Sequence, residues 1–310
     1  MKNEPPRTDD RRPPRILICS PYLSMTPEDS IWKAARLAGV SSVELLVNED
    51  LVCPDLAKSG SLTDRLTTSS AAGEMRKEAA DEGVGIGLFV APLRLVPAMS
   101  EAPEWTTLLL ERARSSGADK VSFPLVTDNF MVPEISDQAY LDSALAVFSS
   151  LVKASAATGT GVLFENLSVY LNRTEILGRI LEAFTREELG FCLDPVNLLW
   201  YGHPRHEVYH IAESLAGRST ALHIKNISYP DAMADTRREP GWGYDKLVVP
   251  ASEGDLDFSL LISRFRQNGF SGYYGIEDDS LPLVPSSERM KILRSSVSFV
   301  ESLLGDEGAD

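Results

Sequence analysis

The 310-residue sequence is short of cysteine, of histidine and of long apolar runs, and each shortage removes a class of function. Its three cysteines (Cys19, Cys53, Cys192) lie far apart with no paired spacing. That excludes a disulfide framework and fits reduced thiols in a cytoplasmic protein. No run approaches the roughly 18 apolar residues that cross a bilayer, so no membrane span is expected. The opening MKNEPPRTDDRRPP is charged and proline-rich without an apolar core, so no secretory leader is expected. We expect residues 1–14 to form a disordered tail, residues 15–305 a single domain and residues 306–310 a flexible C-terminal tail. Basic charge is also scarce: the net charge is −15, with no clustered basic face for a phosphate backbone. Nucleic acid is therefore not expected as a partner.

What the sequence does contain is one short apolar run after another. RILICSPYL (15–23), SVELLV (42–47), VGIGLFVAPL (84–93) and KVSFPL (120–125) come first. GVLFENL (161–167), GFCLDPV (190–196), TALHIKN (220–226) and GYYGIED (272–278) follow. Near-continuous Val, Ile, Leu and Phe is the pattern of strands covered on both faces. Helical patterns separate them. Thr26-Pro27-Glu28-Asp29 reads as a capping box opening a helix through Ala38. Further helices are expected near 61–82, 101–116, 137–157, 172–187, 206–216, 258–268 and 286–304, with Asp137 and Asn172 as N-caps. Eight strand–helix alternations predict an α/β fold, a (β/α)8 TIM barrel. A doubly wound open sheet usually carries a glycine-rich phosphate turn after its first strand, and SPYLSM is not one. The stretch 227–256 is longer than an ordinary connection, which points to function.

In such a barrel the working residues sit at the C-terminal ends of the strands. Four ionisable groups fall there, one on each of the last four strands: Glu165, Asp194, His223 and Glu277. The first three are spaced by one strand–helix unit, 29 residues each time (194 − 165 and 223 − 194). Strand parity puts Leu163, Cys192, Ala221 and Gly275, two residues before each, on the same face. Each of the four could be an isolated strand-end polar group. Three carboxylates and an imidazole converging in a partly desolvated cleft, however, repel unless a cation sits among them. The O3N donor set favours one divalent metal ion, Mn2+ first, with Co2+, Mg2+, Fe2+ and Zn2+ as alternatives. Lys225 shares His223's face and could neutralise a developing oxyanion, or simply pair with a nearby acid such as Asp278.

The motifs FEN, LDPVN, LHIKN, EGDLDF and GYYGIE resemble the xylose isomerase-like TIM-barrel superfamily of sugar phosphate isomerases and epimerases. The resemblance covers about 83–280. It implies that Glu165, Asp194, His223 and Glu277 bind one divalent metal, usually manganese. It also implies that Glu165 and Glu277 are the catalytic acid–base pair. The expected reaction is isomerisation or epimerisation of a hydroxy-carbonyl, sugar-like substrate through a metal-stabilised enediolate. The alternative is a lyase or dehydratase in which the same enediolate expels a leaving group. The superfamily's apurinic endonucleases hold three zinc ions in a histidine-rich site, and this chain has only 4 His.

Ketose epimerases of the family add a Glu six residues after the first ligand, a His three after the Asp and an Arg six after the metal His. Those positions hold Leu171, Asn197 and Tyr229 here, which points away from simple ketohexoses. Asn197, Lys225, Tyr229, Trp242, Tyr170 and Trp200 are the expected substrate-binding residues, the aromatics forming a wall for a ring. The partner is thus a small-molecule substrate, with a homo-oligomer compatible. His206 and His210 of HEVYH, spaced i, i+4, are assigned to the solvated face of an outer helix. Gly254 and Asp257 of EGDLDF are assigned structural roles, Asp257 as an N-cap.

Overall fold

The apolar runs become the eight staves of a closed parallel barrel. The computed structural model describes residues 15–58 and 64–305. The staves are β1 (Arg15–Cys19), β2 (Ser42–Leu46), β3 (Gly85–Val90), β4 (Lys120–Ser122), β5 (Gly161–Glu165), β6 (Gly190–Leu193), β7 (Ala221–Ile224) and β8 (Tyr273–Ile276). They follow one another around the ring in chain order, and β8 closes it against β1. The expected (β/α)8 fold is the one observed.

Alternation along each strand divides the core in two. Leu17, Leu88, Leu163, Cys192, Ala221 and Tyr273 point into the barrel and pack together there. Neighbours of opposite parity, such as Ile18, Phe89, Phe164 and Leu222, face the helices. Each such side chain taken out of water contributes roughly 1.5–3 kcal/mol, which is why the strands read as apolar on both faces. All three cysteines are buried and free.

The outer layer is α1 (Ile31–Ala38), α2 (Ser69–Asp81), α3 (Glu104–Ser116), α4 (Asp137–Thr158), α5 (Thr174–Ala183), α6 (Arg205–Leu215), α7 (Phe258–Gln267) and α8 (Ser286–Gly305). Several starts differ from the sequence expectation. Thr26 does not cap α1: its hydroxyl donates to the Leu23 carbonyl and closes the short turn Ser20–Ser24. Ser30 caps instead, accepting from the Trp32 N–H. Ser136, not Asp137, caps α4 and leaves Asp137 in the first turn, where its charge still favours the helix dipole. Asn172 is drawn into the barrel mouth, and α5 begins two residues later. Asp257 caps α7 as expected, accepting from the Leu260 N–H at 3.1 Å. The expected tails, 1–14 and 306–310, and residues 61–63 of the expected helix 61–82 lie outside the described residues. Within the described ones that helix starts only at Ser69, where Thr68 caps it by accepting from the Ala71 N–H. No described helix is long and apolar enough to cross a membrane.

The long 227–256 connection folds back over its own barrel. Asn226–Ile227 pairs antiparallel with Val248–Val249. The Asn226 side-chain amide then donates to the carbonyls of Ala251 and Leu256 at 2.9 and 3.0 Å. Gly254 permits this: a Cβ there would lie 2.2 Å from the Asn226 side chain. One irregularity lies inside the ring. The β2–β3 register shifts between Val43 and Glu44, and such bulges re-aim side chains.

Candidate metal centre

The last four strands bring their polar ends to one point. Glu165 is the final residue of β5, and Asp194 and Glu277 directly follow β6 and β8. His223 lies one residue before the end of β7. Ligand atoms from all four lie within 4.8 Å of one another. His223 Nδ1 is 3.5 Å from Glu165 Oε1 and 3.4 Å from Glu277 Oε1. It is buried and has no hydrogen-bond partner.

The local sequence fixes each ligand. Pro195 starts a short helix, Pro195–Tyr201, for which Asp194 is the N-cap. Asp194 Oδ1 accepts from the N–H groups of Val196 and Asn197 at 2.8 and 3.0 Å. Its Oδ2 faces the Lys225 ammonium at 2.7 Å, an ion pair without hydrogen-bond alignment. The Asn197 amide donates to Glu165 Oε1 at 2.8 Å. Asn166 holds Asp194 by its backbone, accepting from its N–H at 2.7 Å and donating to its carbonyl at 2.8 Å. Asn172 accepts from Asn166 in turn at 2.9 Å. Between them Ser168 adopts φ 66°, the left-handed conformation that a β-carbon resists.

Negative charge dominates. Lys225 Nζ lies 2.9 Å from Glu277 Oε2 and 3.7 Å from Asp279 Oδ2 as well as against Asp194. Asp279 also accepts from the Tyr22 hydroxyl at 2.6 Å and from the Tyr244 hydroxyl. Burial pushes the Asp194 carboxyl up to about 6, even with Lys225 opposing it. Burial would raise Glu277 too, but His223 and Lys225 outweigh it and hold Glu277 down at about 2. Burial disfavours a proton on His223, yet Cys192, Glu277, Glu44 and Glu165 around it raise its pKa well above the ordinary imidazole value. Positive charge is what this pocket draws in. Hard oxygen donors beside one unpartnered imidazole nitrogen fit a divalent cation, which Glu165, Asp194, His223 and Glu277 could hold.

The other expected contacts divide. Lys225 and Asn197 lie inside the cluster, and Lys225 pairs with Asp194, Glu277 and Asp279 rather than with Asp278. Asp278 bonds instead to the hydroxyls of Ser280 and Ser296. Tyr170 is fully buried, stacked on Tyr140 at 4.1 Å, with its hydroxyl shared between the N–H and carbonyl of Ile135. Trp200 is buried edge-on against Phe130, and Leu171 is wholly buried. Tyr229 is buried beneath the Arg238 guanidinium, 4.0 Å from its ring centre. Trp242 stays 41% exposed, 6.0 Å from Tyr229 on the folded-back connection. His206 lies on α6 and pairs with Asp235.

Two participants escape a reading of strand ends. Asn166 is visible only as the last letter of FEN. Glu44, in the middle of β2, is 1% exposed, and its Oε2 lies 3.2 Å from His223 Nε2. The available signal was parity: Glu44 sits between Val43 and Leu45, which face the helices, so it must point inward.

A match to the family described as xylose isomerase-like TIM barrel spans residues 32–303, and the chain belongs to that family. No curated protein matches the sequence significantly. Among solved structures, the IOLI protein with a bound zinc atom superposes at a TM-score of 0.68 with 14% identity, covering 96% of this chain and 100% of that one. The probable 3-DHS dehydratase AsbF of Bacillus anthracis gives 0.62 at 15% identity over 93% and 98% of the two chains. An L-ribulose 3-epimerase gives 0.64 at 13% over 95% of each. At these identities the likeness establishes the fold.

Proposed function

We propose that the chain is a divalent-metal-dependent isomerase or epimerase of a hydroxy-carbonyl, sugar-like substrate. Glu165, Asp194, His223 and Glu277 hold the metal, and Glu165 and Glu277 are the acid–base pair. The observation that carries this is the unpartnered His223 Nδ1, with one carboxylate oxygen from each glutamate within 3.5 Å. A bound divalent ion supplies Lewis acidity that makes the C–H beside a carbonyl easier to ionise. Manganese is the ion we favour, for its match to three oxygen donors and one nitrogen.

The protein's own residues then move the proton. Glu165 and Glu277 arrive on β5 and β8, strands separated by two others in the ring, so they address the substrate carbon from different sides. One, ionised, takes the proton, and the other, protonated, delivers its own proton to the opposite face. Asn197 orients Glu165 through its amide, and Lys225 keeps Glu277 ionised and faces the developing oxyanion. Trp242 is the aromatic of the expected set that remains open to a substrate at the rim.

A second reading, elimination by the same pair, rests on the proton donors beside the site. The Tyr22 and Tyr244 hydroxyls and the Lys225 ammonium gather on Asp279, where a leaving group could be protonated. The structural neighbours include both an epimerase and a probable dehydratase. A screen of sugars, keto-acids and glycosides with added Mn2+, followed by mass spectrometry, separates the two readings. Products of unchanged mass support isomerisation, loss of mass supports elimination, and no turnover with any divalent ion contradicts both.

A further inference from the structure

We infer that Glu44 is a positioning residue that fixes the tautomer and ring angle of His223, an inference that rests on the metal reading above. An imidazole can offer a lone pair to a cation from only one nitrogen while the other carries the proton, and a hydrogen bond to the second nitrogen decides which. His223 Nδ1 is the nitrogen aimed at Glu165 and Glu277. Its Nε2 is aimed the other way, at Glu44 Oε2, 3.2 Å off. With Glu44 accepting from Nε2–H, the Nδ1 lone pair is left facing the ligand cluster.

Three features indicate that this contact is built. First, Glu44 is a carboxylate 1% exposed, set among inward-facing apolar side chains such as Leu17, Leu88 and Cys192, with Oε1 lacking a hydrogen-bond partner. A lone buried carboxylate is costly, so its burial calls for a compensating role. Second, the β2–β3 register shift falls between Val43 and Glu44, where Gly87 is passed over on β3. Third, β8 leaves a gap over the pair. A Cβ on Gly275 would come within 2.7 Å of His223 Cδ2 and 3.2 Å of Glu44 Oε2. Gly275 has no positive φ, so the glycine there serves space and not backbone conformation.

The test titrates Zn2+ into the wild-type chain, Glu44→Gln and His223→Ala by calorimetry, with circular dichroism confirming that each is folded. Glu44→Gln, equal in size, should bind Zn2+ about 10–100-fold more weakly than wild type. His223→Ala should lose more. A folded Glu44→Gln variant with unchanged affinity overturns the inference while leaving the metal reading intact. A wild-type chain that binds no divalent ion overturns both. The wild-type protein supplies an independent readout in its zinc-loaded form. Nitrogen-15 NMR should show the His223 proton on Nε2, and a proton on Nδ1 overturns the inference even if Glu44→Gln fails to fold.

Discussion

The two halves of the barrel end differently. β1 to β4 finish in Cys19, Leu46, Val90 and Ser122, whereas β5 to β8 finish in or beside Glu165, Asp194, His223 with Lys225, and Glu277. One half supplies the ligand cluster at the strand tips. The other supplies a floor and wall, and from it a single carboxylate, Glu44, reaches the cluster from lower in the barrel. Polar groups at strand tips are cheap because turns and solvent are close. A polar group in mid-strand is costly, and its presence carries more information about what the barrel must hold.

The sharpest way to break this comparison is at the acid–base pair. Glu165→Gln or Glu277→Gln should lower turnover by about 10²–10⁴-fold with the fold retained, as circular dichroism checks. Near-normal rates in both variants would mean that the tips of β5 and β8 do not carry the chemistry. Gly275→Ala intrudes on the contact between Glu44 and His223. It should cost about 1–3 kcal/mol in denaturant unfolding, because the His223 ring and Glu44 cannot both keep their places, and it should weaken metal binding as well. Asn166→Ala leaves the Asp194 N–H, the Asp194 carbonyl and Asn172 Oδ1 without the Asn166 side chain and should cost about 1–3 kcal/mol by the same assay. The smallest effect belongs to the half without ligands. Lys77→Ala, on the exposed face of α2, should change stability by less than about 0.5 kcal/mol and leave metal affinity within error.

The sequence made the strand tips legible because each ligand stands directly after an apolar run, and the 29-residue spacing repeats the fold's own unit. The closed ring followed from counting alternations. Side-chain commitments made over long sequence distances were not visible. Asn197 and Tyr229 read as substrate contacts because their positions match clamps in related enzymes. In the fold, Asn197 donates to Glu165, 32 residues away, and Tyr229 lies under Arg238. Tyr170 likewise spends its hydroxyl on Ile135. Thr26 and Asn172 look like helix caps by residue type, but each had a competing local acceptor or donor that drew its side chain elsewhere. Glu44 was hidden because one glutamate in SVELLV has no local mark of what lies across the barrel, 179 residues further on.

The proposed chemistry turns on one divalent ion held by the tips of β5 to β8. Calorimetric titration of Mn2+ or Zn2+ into the wild-type chain, Asp194→Asn and His223→Ala tests it most directly. Saturable binding of a single ion is expected in the wild type, lost or weakened at least about 100-fold in both variants. No binding to the wild-type chain, or equal binding by all three, would contradict it.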